Sequence, residues 1–132
     1  MAYCLSYILK TFIMSKVESF EDLNVYQSGL KLAIDLYKIL ATCKDYSLKD
    51  QICRSGVSIP SNIAEGFERE YNKDFIRFLR ISKGSSGELR TQIYIAEGIG
   101  IIDPETAKDL ISKCRHISGM LGNLIKVRIE KF

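Results

Sequence analysis

Residues 48–67 read LKDQICRSGVSIPSNIAEGF. Leu48, Ile52, Val57, Ile59, Ile63, Ala64 and Phe67 recur at the steps of one helical face, and Ser47 followed by Asp50 supplies a start signal at the front of the run. Pro60 falls in its middle. A proline inside a helix removes one donor and presses on the carbonyl four residues earlier, here that of Gly56. The reading therefore predicts a kinked helix, with the hydroxyls of Ser55, Ser58 or Ser61 satisfying freed backbone groups.

The segments on either side carry the same period. From Phe20 to Cys43, Leu23, Tyr26, Leu30, Ala33, Ile34, Tyr37, Leu40 and Ala41 share a predicted face, and Ser19 with Asp22 resembles a capping box that starts the first helix. Asn72 is the predicted cap of a third helix. Its face holds Phe75, Phe78, Leu79, Ser82, Ser85, Ser86, Leu89, Ile93 and Ala96, where three serines interrupt an apolar stripe and leave room for a neighbour. Gly98 and Gly100 suit a helix end and turn; Asp103-Pro104 is an N-cap followed by proline at the first helical position. The fourth face comprises Ala107, Leu110, Ile111, Cys114, Ile117, Leu121, Leu124 and Ile125.

No segment alternates as a half-buried strand does, and the three linkers are short, which favours antiparallel neighbours. The predicted fold is all-α: an antiparallel, up-down-up-down four-helix bundle over residues 20–132. At 132 residues, 46% of them hydrophobic and 27% charged, the chain can bury a core without disulfides. Residues 1–19 read as an N-terminal extension. Its start, MAYCLSYILKTFIM, lacks the basic leader and cleavage site of a signal peptide and is too short to span a bilayer. Met14 opens MSKVESFEDL, so residues 1–13 are read as a disordered arm or a misassigned start. The expected location is cytoplasmic, without membrane association.

Catalytic signals are sparse. Cys4, Cys43, Cys53 and Cys114 show no CxxC spacing and read as reduced thiols, three of them packing as small apolar residues. The only histidine, His116, has no Glu-x-x-His context, and Cys114 lies about 200° from it around a helix. No metal or other cofactor is expected. Gly84-Ser85-Ser86-Gly87 lies inside a helical pattern, which excludes a P-loop. Asn62, Glu65, Arg80, Glu88 and Thr91 form a polar set beside core positions. Glu65 and Glu88 are the one carboxylate pair available for acid–base work, but no electrophile or second catalytic group accompanies them. Asn62, Glu65, Glu88 and Thr91 are therefore read as a network that fixes helix register with Arg54, Arg80 or Arg90. No enzyme is expected.

Charge placement points to a partner. Lys73, Arg77, Arg80, Lys83 and Arg90 face only Asp74 and Glu88 between Lys73 and Arg90, an excess equal to the whole chain's net charge of +3. Lys73, Arg77 and Arg80 follow at steps of four and three opposite the apolar face, a stripe able to lie along phosphates.

The string Val57-Ser58-Ile59-Pro60-Ser61-Asn62-Ile63-Ala64-Glu65-Gly66 is distinctive, as are Phe75-Ile76-Arg77-Phe78-Leu79-Arg80-Ile81, Gly84-Ser85, Glu88-Leu89 and Thr91-Gln92. With Phe20-Glu21-Asp22-Leu23, Tyr26-Gln27, Met120-Leu121 and Leu124-Ile125, they resemble the bacterial four helix bundle proteins. Founding members of that family are encoded in intervening sequences of large-subunit rRNA genes. The likeness runs from Phe20 to Ile125. The chain departs from the family pattern at Ser82, Lys83, Ser86 and Gly87, where an apolar or alanine-rich run is usual, and at Tyr26, where tryptophan is common. The resemblance implies a cyclic homopentamer without established enzymatic activity. The chain is also similar to the accessory variability determinant proteins of diversity-generating retroelements, which pair with a reverse transcriptase and bind nucleic acid through a basic surface. Carried over, that likeness nominates Arg54, Arg69, Lys73, Arg77, Arg80 and Arg90 as contacts to RNA or DNA. The expectation is an oligomeric, nonenzymatic nucleic-acid adaptor; the competing one is a module that docks a partner such as a reverse transcriptase without binding nucleic acid itself.

Overall fold

The computed structural model describes residues 17–132. Within them a 3-10 turn, Phe20–Asp22, precedes four α-helices: α1 (Asn24–Ile39), α2 (Tyr46–Glu68), α3 (Asn72–Gly98) and α4 (Pro104–Lys131). The expectations for residues 1–16, Cys4 included, lie outside the described residues.

Three helix starts differ from the sequence reading, each for a local reason. The Asp22 carboxylate accepts from the backbone N–H of Glu18 and of Ser19, at 3.0 and 3.1 Å, so the predicted box closes only the 3-10 turn. Leu23 is then extended and α1 starts at Asn24. Asp45, not Ser47, caps α2, its carboxylate accepting from Leu48 N–H at 3.1 Å. Tyr71, not Asn72, is the N-cap of α3, and Asn72 reaches across to α4 instead. Asp103 caps α4 as predicted: its two carboxylate oxygens accept from the Thr106 N–H at 3.2 Å and hydroxyl at 2.6 Å, which holds its pKa below the ordinary carboxylate range.

The antiparallel order is fixed by bonds between helices. Asn72 pairs with Arg128 and Ser86 with Cys114, and the same number of residues separates the partners on α3 as on α4, in opposite chain directions. Ser82 and Ser85 of α3 reach Ile59 and Ser58 of α2 in the same antiparallel sense. The α2–α3 contact is the most extensive, followed by α3–α4 and α1–α2; of these four seams α1–α4 is the sparsest.

All nine residues predicted for the α3 face are buried, with Gln92 added. On α4, Ala107 to Leu121 are buried as predicted, while Leu124 and Ile125 pack at the core's edge. The α1 reading needs correction. Val25, Gly29, Leu32, Ala33 and Leu36 face the core, whereas Leu30, Ile34 and Tyr37 are 41%, 46% and 54% exposed. Two apolar stripes run along α1, and small residues decide between them. A Cβ on Gly29 would stand 3.1 Å from Ile59 Cγ2, and one on Gly56 would stand 2.5 Å from Leu36 Cδ1, so the helices meet where glycine lets them approach. The same rotation leaves Val57 exposed and buries Cys53, Ser55, Gly56 and Pro60.

Helix α2 runs through Pro60 without interruption. The side chains that donate to carbonyls flanking the proline are not those of Ser55, Ser58 or Ser61. Ser82 of α3 donates to the Ile59 carbonyl at 2.9 Å, and the Asn62 amide donates to Ser58 O at 2.7 Å.

Candidate nucleic-acid interface

The outer face of α3 begins with Lys73, Arg77 and Arg80, all exposed, one helical turn apart and opposite the buried stripe. Arg69, just after the end of α2, joins them through an aromatic ring. The guanidinium carbons of Arg69 and Arg77 lie 5.0 and 4.8 Å from the centroid of the buried Phe78 ring. The ring's negative face steadies both cations. Arg69 also pairs with Glu65 at 3.3 Å, and Arg77 lies 4.0 Å from Asp74. Lys73 and Arg80 have no carboxylate within ion-pair distance among the described residues. Ile76, Ile81 and Ile129 floor the shallow hollow that Lys73, Arg77 and Arg80 rim. The arrangement is a line of cations over an apolar floor, suited to a phosphate backbone and to the sugar or base edges beside it.

Arg54 and Arg90 do not belong to this cluster. Arg54 is tied to Asp50 at 3.1 Å on α2, one turn beyond the level of Ser58 and Ser85. Arg90 is half-buried, and its charge acts on Cys114 of α4.

The predicted polar network is replaced by another. Glu65 bonds only along its own helix region to Arg69, Glu88 accepts from Gln92 at 3.4 Å, and Thr91 donates to Gly87 O at 3.1 Å. None of these crosses between helices. Because Ser82 stands beside Ile59, Glu65 is level with Ile76, and Glu88 lies about twelve residues, or roughly 18 Å along the axis, from that level. That separation is too great for a shared proton. None of the predicted set bonds across helices itself; Asn62 acts within α2, on a serine that does. Its amide donates to the Ser58 hydroxyl at 2.8 Å, and Ser58 meets the Ser85 hydroxyl at 2.8 Å. Ser82 and Ser86 complete the register, donating at 2.9 Å each to the carbonyls of Ile59 and Cys114. The serine interruptions on the α3 face were the available signal; their hydroxyls act as well as their small size.

Burial pushes the Cys114 thiol up to about 11 and also raises that of Cys53, so both are inert packing residues. His116 lines a groove between α1 and α4, beside Lys31, Asp35 and Lys113. Among the described residues no three of His, Cys, Asp and Glu converge on a metal-sized site. No helix among them is long and apolar enough to cross a membrane.

The 23S rRNA-intervening sequence protein family matches residues 21–123, from the 3-10 turn to the last third of α4. The chain belongs to that family. Its bundle is similar to the crystal structure of a protein of unknown function from the S23 ribosomal protein family of Bacteroides thetaiotaomicron. The two share 27% identity and a TM-score of 0.73 over 77% of this chain and 98% of that one. No curated protein matches the chain. The match gives the VSIPSNIAEG string of this family member a physical reading. Ile59, Ile63 and Pro60 are buried, Ser58 carries the cross-helix bond to Ser85 while Asn62 donates to Ser58 within α2, and Gly66 lets α3 approach: a Cβ there would stand 2.5 Å from Phe78 Cβ.

Proposed function

We propose that this family member is a nonenzymatic cytoplasmic adaptor that contacts RNA or DNA through Arg69, Lys73, Arg77 and Arg80. The observation that carries the reading is the exposed cation line on α3, in which Lys73 and Arg80 are unpaired among the described residues and Arg77 shares the Phe78 ring with Arg69 from the end of α2. Such a face neutralises successive phosphates and releases their counterions. Four phosphates neutralised on duplex DNA would give a log–log salt slope of about −3.6, at about −0.9 each. The test is a binding titration of structured RNA and duplex DNA between 50 and 200 mM salt. The double variant Lys73→Glu, Arg80→Glu should lower affinity at least tenfold and flatten the slope. Absence of any complex at low salt removes the reading.

A second observation favours protein contacts in addition. Leu30, Ile34, Tyr37 and Val57 are exposed around a groove of about 320 Å³ between α1 and α2. Contiguous apolar surface of this kind marks interfaces. It supports self-association, for which the family likeness suggests a pentamer, or docking of a partner such as a reverse transcriptase. Light scattering on Ile34→Glu separates these: a smaller particle than the parent supports self-association, and an unchanged particle that loses a polymerase partner supports docking.

A further inference from the structure

The end of the bundle where α2 passes into α3 and α4 finishes holds a cavity of about 380 Å³, within the range of small-ligand pockets. Leu23, Phe67, Phe75, Leu124 and Val127 give it apolar walls, and Arg128 supplies its cation. The guanidinium is fixed in place. Its Nε donates to Asn72 Oδ1 at 2.8 Å, the Asn72 amide donates back to Arg128 O at 3.0 Å, and the Phe75 and Phe132 rings lie 5.0 and 3.9 Å from its central carbon. Burial weakens its hold on the proton. No carboxylate among the described residues lies within ion-pair distance of it, and its terminal nitrogens donate to none of them. Glu70, the one acid among the described lining residues, is exposed and makes no ion pair with Arg128.

A half-buried, braced cation facing an apolar hollow is charge-complementary to one class of molecule. We propose that this end cavity binds a small organic acid with an apolar body, its carboxylate paired with the free N–H groups of Arg128 and its hydrocarbon seated between Phe67, Phe75 and Leu124. Bidentate pairing suits a guanidinium and a carboxylate, and the partly desolvated setting strengthens it. The site is independent of the cation line on α3 and stands or falls separately from it.

The probes are octanoate and, as its uncharged counterpart, 1-octanol, titrated calorimetrically into the full chain. Octanoate should bind saturably, one per chain, at least tenfold more tightly than octanol. Arg128→Gln should remove that preference, lowering octanoate affinity tenfold while leaving octanol unmoved. Leu124→Trp, which fills the cavity without touching the Asn72–Arg128 pair, should abolish both and keeps the test alive if the arginine variant does not fold. Equal affinity for acid and alcohol overturns the proposal, as does octanoate binding that survives Leu124→Trp. Nuclear Overhauser contacts from residues 1–16 to Phe67 and Phe75 in the ligand-free chain would overturn it too, by assigning the cavity to the chain itself.

Discussion

The α2–α3 seam and the α1–α4 seam hold the same bundle by different means. Between α2 and α3, glycine and serine replace large side chains, the helices approach closely, and buried hydroxyls donate to carbonyls and to each other. Between α1 and α4 lies a groove of about 290 Å³, crossed among the described residues by one ion pair, in which Asp35 meets Lys113 at 3.7 Å. The first seam is specified by shape and by polar groups that have no water to turn to; the second is tolerant, because charges at a surface accept many geometries. Substitutions should therefore be felt unequally on the two sides of the molecule.

The largest effect is expected at Gly66. A methyl group added there would stand 2.5 Å from Phe78 Cβ, an atom anchored directly to the backbone, so α2 and α3 must move apart. Gly66→Ala should cost about 1–3 kcal/mol, the usual penalty of overpacking, read as a lower urea midpoint at unchanged slope. The same substitution at Gly84 should act in the opposite direction. No atom lies within 4 Å of a Cβ built there, and an exposed glycine inside a helix is worth about 1 kcal/mol less than alanine. A midpoint that fell in both variants would show that the α3 outer face is covered in solution.

Next comes the one polar defect of the closed seam's helix. Gln92 is 7% exposed and its Oε1 has no hydrogen-bond partner among the described residues. A buried unmet acceptor costs about 1–3 kcal/mol, so Gln92→Met should raise stability by about 1 kcal/mol once lost rotamer freedom is counted. An unchanged or lower midpoint would mean that the oxygen has a partner, such as a bound water. Glu70 offers a gain of similar origin but smaller size. Its φ of 69° lies in the left-handed region, and Glu70→Gly should relieve up to about 1 kcal/mol of that strain, partly offset by the freedom glycine gains when unfolded.

Much of this contrast was legible in the residues, and the misses have a common cause. The α3 and α4 faces were readable because each carries one apolar stripe with polar residues opposite, so only one rotation buries it. Helix α1 has two, and what selects between them is Gly29 meeting Ile59 and Gly56 meeting Leu36, contacts that depend on another helix. Start signals failed where a competing capper stood nearby: Asp45 displaced Ser47, and Asn72 was drawn to Arg128. In the candidate interface, Lys73, Arg77 and Arg80 were visible as a period of four and three. The bracing of Arg69 and Arg77 on Phe78 was not, because it joins the end of α2 to the outer edge of α3. Glu65 and Glu88 shared a polar character and flanking core residues, but spacing along two antiparallel helices, which periodicity does not report, set them apart.

The smallest effect should come from the open seam. Asp35 accepts from Lys31 at 2.9 Å and lies 3.7 Å from Lys113, which in turn bonds Asp109 at 2.9 Å. The Lys31 hydrogen bond, aided by the nearby charges of Lys31, Lys113 and Lys38, holds the Asp35 carboxyl below its ordinary range, and the Asp109 bond, with the charges of Asp109 and Asp35, raises Lys113. A carboxyl more acidic in the folded chain than in the unfolded one adds stability that is fully present above the unfolded value, about 3.9, and is lost as pH falls through the folded value. Asp35→Asn should therefore cost no more than about 1 kcal/mol at pH 7, the scale of surface pairs, and the difference should shrink steadily below pH 4. High salt should shrink it as well, since the groove admits ions. Urea midpoints of parent and variant at pH 7, pH 4 and pH 2.5 make the comparison. A loss at pH 7 as large as that of Gly66→Ala, or one that persisted in acid, would mean that α1 is held to α4 by packing and that the two seams are more alike than their side chains imply.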